Sequence, residues 1–225
     1  MSTQVEDPPE RGAAGRAQAL DALRRAIRAG DLAPGDRLVE AELAETFRVT
    51  RAGLRAALLE LVSEGLAERI PNRGARVRSV SLDEAVEITE CRMMLEGLCA
   101  AKAADRATDG QIAHLVELGE QLRAAVEAGE PLKYSELNHE LHRYVQEVSG
   151  QRVATGLLER LIAQPVRHQF RLALQPGRPQ VSLGQHLELI GALRDRDPQR
   201  AELAARRHLA GVVDALPATG AGGPR

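Results

Sequence analysis

Apolar side chains recur at helical spacing almost from the start of the chain. Ala19, Leu20, Leu23 and Ile27 share one stripe over residues 16–30, and Gly30 is a natural C-terminal stop. Pro34-Gly35 then sets a tight reversal. A short helix follows from Glu40 to Phe47 with Leu43, Ala44 and Phe47 inward, and RVT breaks it. Thr50 is a suitable N-cap for the next helix, RAGLRAALLELVSEG, whose Leu54, Ala57, Leu58, Leu61 and Val62 fall on one face before Gly65 ends it. LAERI and ARVRS are short alternating segments on either side of the turn sequence PNRG.

Helix, helix, turn, helix and hairpin, in that order, is the plan of a winged helix-turn-helix. After Ser79 the pattern is helical throughout, with breaks near Thr108-Asp109-Gly110, Gly129-Glu130-Pro131, Gly150, Pro176-Gly177 and Asp197-Pro198. Helices of this length form an antiparallel bundle. Pro165 is expected to kink or split the helix that contains it. The fold class is therefore mainly α: an N-terminal winged helix-turn-helix over residues 16–79 and an all-helical antiparallel bundle over 80–215. Disordered tails are expected at 1–15 and 216–225.

Composition supports helices over sheets, since Ala, Leu, Arg and Glu dominate and Trp is absent. The formal net charge of −2 advertises no global affinity for nucleic acid. Its distribution changes the picture: twelve arginines against nine acids lie between Arg16 and Arg78, so the remainder of the chain is acidic. An arginine-rich first third on an acidic body fits a small DNA-reading module, and a merely solvated surface fits the charge equally well. No apolar run is long enough to span a membrane, and the first residues lack a signal-peptide core. Cys91 and Cys99 lie about 12 Å apart along one helix at about 1.5 Å per residue, too far to pair, so reduced cysteines and a cytoplasmic location are expected.

Reading DNA requires a helix whose first turn presents donors to base edges while neighbouring groups hold phosphates. Thr50, Arg51, Ala52 and Arg55 occupy the start of the third helix, with Arg51 and Arg55 on one face. Arginine suits a bidentate contact with guanine. Arg73 beside Gly74 in the wing turn is placed for a phosphate or the minor groove.

In the second half, three histidines lean inward from three separate helices. His142 flanks the stripe Leu137, Leu141, Tyr144, Val145 and Val148, with Asn138 one turn before it, whereas His139, Arg143 and Gln146 fall on the wet side. His186 shares a face with Ile190 and Leu193, and His208 with Ala201, Ala205 and Val212. A bundle builds a core metal site in this way. A single inward histidine is more often a core residue satisfied by a hydrogen bond, so both readings stay open. Arg92 stands where Ile88, Leu95 and Cys99 predict an apolar residue, and needs an anionic partner: a carboxylate of the bundle or a ligand.

Residues 30–78 resemble the N-terminal domain of the GntR family of bacterial regulators. The resemblance rests on Pro34-Gly35, Leu38, Glu42-Leu43-Ala44, Val49-Thr50-Arg51, Arg55, Ala57-Leu58, Leu61, Glu64-Gly65-Leu66 and Arg73-Gly74. It places DNA contacts on Thr50, Arg51, Arg55, Arg73 and Gly74. Ala52-Gly53 departs from the family's usual Thr-Pro, and Ala56 from its Glu; these departures bear on the operator sequence. Residues 82–213 are similar to the FCD-type ligand-binding domain of the FadR branch, through Arg92, Leu95-Glu96, Asn138, His142, His186, Asp197 and His208. That resemblance implies a divalent metal held by Asn138, His142, His186 and His208, and a small carboxylate bound against it with Arg92 as counter-charge. Imidazole ligands suit zinc, nickel, iron or copper alike, zinc being the commonest. Asn138 replaces the more common Asp, and Gln185 a more common Glu.

The expectation is thus a ligand-responsive repressor, bacterial and cytoplasmic, a homodimer on a palindromic operator of double-stranded DNA with a small organic acid as effector. It would lie with the nucleoid when bound to its operator, with no membrane partner. The alternatives are a metal sensor without organic effector, and a metal-dependent hydrolytic enzyme. Against the enzyme, the pattern places no carboxylate beside the histidines to act as general base, and a winged domain would have no task.

Overall fold

The structure, a computed structural model, describes residues 12–71, 73–164, 168, 172 and 175–217. The chain divides into two compact units, with the division between Val80 and Ser81.

The first unit comprises α1 (Gly12–Ala29), β1 (Arg37–Leu38), α2 (Glu40–Thr46), α3 (Arg51–Ser63), β2 (Ala67–Ile70) and β3 (Gly74–Val77). Leu20 and Leu23 of α1 join Leu54, Leu58 and Leu61 of α3 among the buried residues, and the two helices pack together. Ion pairs from Arg16 to Glu60 and from Arg24 to Glu64 link the same two helices. α1 begins four residues before the expected start, because Gly15 is buried and its backbone lies against α3 at Gly53. A Cβ on Gly53 would fall 3.2 Å from Thr50 Oγ1 and 3.4 Å from the Arg16 nitrogen, so the residue that departs from the family pattern is also the one that admits the N-terminus of α1. The α2–α3 turn is closed by Arg48 in the left-handed region (φ 54°), with Val49 N–H donating to the Ala44 carbonyl.

The hairpin β2–β3 stands as expected, with Ala67 opposite Val77 and Ile70 opposite Gly74. Pattern reading missed β1, a two-residue strand that pairs antiparallel with β3 through Arg37 with Arg76 and Leu38 with Ala75. Two residues are too few to show alternation, and only the partner strand makes them a strand. The sheet order is β1-β3-β2.

The second unit comprises α4 (Leu82–Arg106), α5 (Asp109–Glu127), α6 (Pro131–Ser149), α7 (Arg152–Ala163), α8 (Arg178–Arg194) and α9 (Pro198–Ala215). The helix ends carry the signals that specify them: Ser81 caps α4, Thr108 and Gln111 form a capping box on α5, and Gly150 ends α6 in the left-handed region. Pro165 and its expected kink lie outside the described residues. The core is made of small residues on α4 and α9 (Ala100, Ala103, Ala104, Ala201, Ala204 and Ala205) and leucines on α5, α6 and α8. Alanines at the α4–α9 contact bring these helices close, and α9 also packs on α8, and α6 on α4. Leu216, expected in a tail, is buried at the end of α9. Among the described residues no helix is long and apolar enough to cross a membrane.

Candidate functional site

The 25-residue α4 and the helices packed on it determine where the polar residues of the bundle meet. His142 lies on α6, His186 on α8 and His208 on α9; His186 is fully buried and His208 nearly so. Their Nε2 atoms converge: His186 Nε2 is 3.3 Å from His142 Nε2 and 3.3 Å from His208 Nε2. One ligand atom from each residue lies within 4.8 Å of the others, so the three histidines could hold a metal ion.

The outer nitrogens are held from behind. Glu96 Oε2 of α4 lies 3.0 Å from His142 Nδ1, Gln185 Oε1 is 3.0 Å from His208 Nδ1, and the Tyr134 hydroxyl is 3.0 Å from His186 Nδ1. The Gln185 carbonyl accepts a hydrogen, which places the proton of His208 on Nδ1, and the negative charge of Glu96 Oε2, at ion-pair distance though not aligned as a hydrogen bond, favours a proton on His142 Nδ1; the Nε2 lone pairs then face inward. A hydrogen on His186 Nε2 would satisfy one neighbour and leave the other lone pair opposed; a cation accepts all three. Asn138, one turn before His142, has its Oδ1 buried without a hydrogen-bond partner, and in a folded interior such an atom calls for a partner. The donor set therefore fits a divalent ion.

Burial is the main reason that His186 is held well below the ordinary histidine range, with the charges of His142 and Arg178 adding to it. Burial likewise depresses His208, aided by His186, His142, Arg178 and Arg92. Both stay neutral, the form that ligates metal. The unfolded chain restores them to about 6.5, so their contribution is complete above that pH and is lost as pH falls towards the folded values. The metal-free protein is expected to lose up to about 2.7 kcal/mol per pH unit below about pH 6.5 if both titrate together. Urea midpoints between pH 7.5 and 5 read this directly, and a flat profile would show that the two imidazoles are as solvated as in the unfolded chain.

Glu96 was missed as a site residue in its own right. The pattern placed no carboxylate beside the histidines, and the structure corrects this: Glu96 is buried and touches both His142 and Arg92. Burial pushes its carboxyl up, but the Arg92 and His142 charges and hydrogen bonds outweigh that and hold it at about 2. Arg92 donates to Glu96 Oε1 through Nε (3.0 Å) and Nη2 (2.9 Å), so its anionic partner in the bundle is the residue four positions on. The signal was available: an acid at i+4 from a buried arginine. Gln146, read as wet, is buried and lines a cavity of about 10 Å³ beside Glu96, Cys99, His142 and Leu189, room for about one water. Glu96→Gln is expected to weaken metal binding about 10- to 100-fold, the usual effect of losing a histidine's carboxylate support. Competition with a fluorescent chelator measures it, and unchanged affinity would remove Glu96 from the metal's support.

In the first unit Thr50 Oγ1 accepts from Gly53 N–H at 3.1 Å and caps α3. Arg51 is exposed beside it. Arg55, 69% exposed in its side chain, donates to Glu40 Oε2 through Nη2 at 2.8 Å. In the wing the Arg73 carbonyl accepts from Arg37 Nη2 at 3.4 Å, and Gly74 has φ +84°, a conformation that L side chains rarely adopt. Arg51 and Arg55 thus lie exposed on the first turns of α3, with half-buried Thr50 at its cap, and Arg73 and Gly74 at the hairpin turn.

Comparison with known proteins agrees with this division. The bacterial regulatory proteins of the gntR family match residues 16–77, and the FCD domain matches residues 87–211. The chain is 29% identical over 194 residues to the HTH-type transcriptional repressor RspR of Escherichia coli K12, covering 86% of this chain and 85% of that one. It is 32% identical over 165 residues to the Nta operon transcriptional regulator of Aminobacter aminovorans, covering 72% and 76%. The solved structure of E. coli McbR/YncC superposes with a TM-score of 0.77 at 24% identity, covering 91% of this chain and 97% of that one, and so shares the fold. These relatives are transcriptional regulators and not enzymes, and the chain belongs to the gntR family of bacterial regulatory proteins, with an FCD domain as its second unit.

Proposed function

We propose that this protein is a ligand-gated transcriptional repressor that binds a palindromic operator as a homodimer and senses a small organic acid at a divalent metal, zinc being the commonest fit. The observation that carries the reading is the convergence of three Nε2 atoms in the FCD domain, each with its Nδ1 held from behind. Asn138 would complete the ligand set through its unpartnered Oδ1.

When bound, a divalent cation supplies positive charge that draws a carboxylate into the bundle. The protein's own groups do the remainder. Glu96, Tyr134 and Gln185 orient the imidazoles, and burial excludes water. Three neutral histidines leave the ion's charge uncompensated, and Glu96 is already engaged by Arg92. A buried excess of positive charge calls for an anion. Arg92, paired with Glu96, is the effector's counter-charge on the α4 side only if the effector's carboxylate shares or displaces that pairing.

Arg51 and Arg55 of α3 are the base-reading donors, with Thr50 at the cap, while Arg73 and Gly74 approach the backbone or minor groove. Exposed Met94, Leu98, Val153 and Leu157 flank the buried Cys99, Ala154 and Leu158 contact of α4 with α7, and this apolar surface supports pairing of two copies. RspR is named a repressor, which supports the sign. Ligand binding would favour one arrangement of the paired sensor domains, with a coupling of about 1–3 kcal/mol, or 5- to 150-fold in operator affinity.

The test is fluorescence anisotropy on an operator selected in vitro. Metal-loaded protein should release it when small carboxylates are added, and chelated protein should not respond to them. Metal-dependent operator binding that no carboxylate alters would favour the second reading, a sensor of the ion itself. The small cavity beside His142 and Gln146, with room for about one water, is the observation in favour of that reading.

A further inference from the structure

The short strand β1 brings to the wing a charge that the helix-turn-helix reading leaves unused. The Pro34-Gly35 turn lays β1 along β3: Gly35 N–H donates to the Val77 carbonyl at 2.9 Å, and Val77 N–H to the Asp36 carbonyl at 2.8 Å. That register sets Arg37 opposite Arg76, and Arg76 opposite Glu68 of β2. The three side chains share the outer face of the sheet, because the alternate set, Leu38, Ala75, Val77 and Ala67, is buried.

Two arginines directly opposite on one face repel each other unless an anion answers them. Glu68 answers Arg76 with an ion pair of 2.6 Å. Among the described residues no carboxylate lies within ion-pair distance of Arg37 or of Arg73, and both are exposed. Arg37 turns towards the hairpin instead, and its Nη2 donates to the carbonyl of Arg73, 36 residues along the chain. A guanidinium has five N–H donors, so this one bond leaves most of them free beside the wing turn. The turn itself is open: nothing lies within 4 Å of the place where a Cβ on Gly74 would stand. β1 therefore delivers a second cation to the bare backbone at which Arg73 already stands.

We propose that Arg37 is a DNA-backbone contact, which with Arg73 holds phosphate at the edge of the groove that the wing enters. This rests on the reading of Arg73 and Gly74 as the wing's approach to DNA. A phosphate accepts charge-assisted hydrogen bonds from both guanidinia and supplies the anion that Arg37 lacks. Charge on an edge strand also resists pairing with another sheet, but that task alone would leave DNA affinity untouched.

The test is fluorescence anisotropy of full-length protein on the selected operator and on a scrambled duplex, over a range of about 50 to 300 mM salt. Arg37→Gln should weaken both by the same factor, at least about tenfold at 0.1 M salt, and reduce the log–log salt slope by about 0.9 per subunit. Arg37→Lys keeps the charge and should keep the slope. Arg37 is exposed, so both variants should unfold at the wild-type midpoint. A slope unchanged in Arg37→Gln but reduced in Arg73→Gln overturns this proposal and leaves the wing reading standing. A slope unchanged in both overturns the two together. A loss confined to the operator would make Arg37 a base reader, and an equal loss of slope in Arg37→Lys would tie the effect to the bond with the Arg73 carbonyl; either result overturns the phosphate contact.

Discussion

His186→Ala is expected to abolish metal binding, taking the purified protein from about one divalent ion per chain to none. The residue sits at the centre of the cluster, with its Nε2 3.3 Å from each of the other two, so its loss separates the remaining pair rather than trimming one edge. His186 is also fully buried, and truncation leaves a cavity and an unpartnered Tyr134 hydroxyl whether or not an ion binds. Absolute stability is therefore the wrong readout. The response to a chelator isolates the metal. At an ion concentration about 100 times Kd the wild type gains about 2.7 kcal/mol, which for a domain of this size corresponds to roughly 5–10 °C in Tm. Chelation should remove that increment from the wild type and nothing from His186→Ala. A variant that still carries the ion by elemental analysis, or a wild type indifferent to chelator, would return the three histidines to the role of core polar groups.

The second large effect is expected at Arg51. It is exposed at the first turn of α3 and, unlike Arg55, has no ion pair to give up among the described residues. A good bidentate base contact is worth about 1–3 kcal/mol, and a dimer on a palindrome presents it twice, so Arg51→Ala should weaken operator binding roughly thirtyfold or more. Weak binding to unrelated DNA should change far less, because that term is set by phosphates. Arg55 differs, since Glu40 must release it before it reaches a base, and Glu40 is held below the usual carboxylate range by that same bond. Anisotropy titrations at fixed salt, on the selected operator and on a scrambled duplex, separate the two terms. Equal losses on both duplexes would make Arg51 a phosphate contact, and no loss on either would remove it from the interface.

Much of this protein was legible in the order of its residues. Helical periodicity in α1, α3 and the second unit follows from which face must be buried, and a stripe at i, i+3 and i+4 is written in the chain itself. Helix ends were legible for the same reason, since Thr50, Thr108 and Gly150 act within one turn of themselves. The three inward histidines could be found by asking which face each shares with leucine or alanine. What the sequence could not decide is what one helix presents to another. Glu96 meets His142 from 46 residues away because α4 packs on α6, and Gln185 meets His208 because α8 packs on α9. The wet-side reading of Gln146 failed because the stripe it misses is not the only face that its helix buries. β1 exists only by pairing with β3. Local composition determined the elements, their limits and the chemical character of the site. The tertiary structure alone decided which nitrogens converge and which group stands behind each imidazole, because these depend on distances between elements that no local pattern encodes.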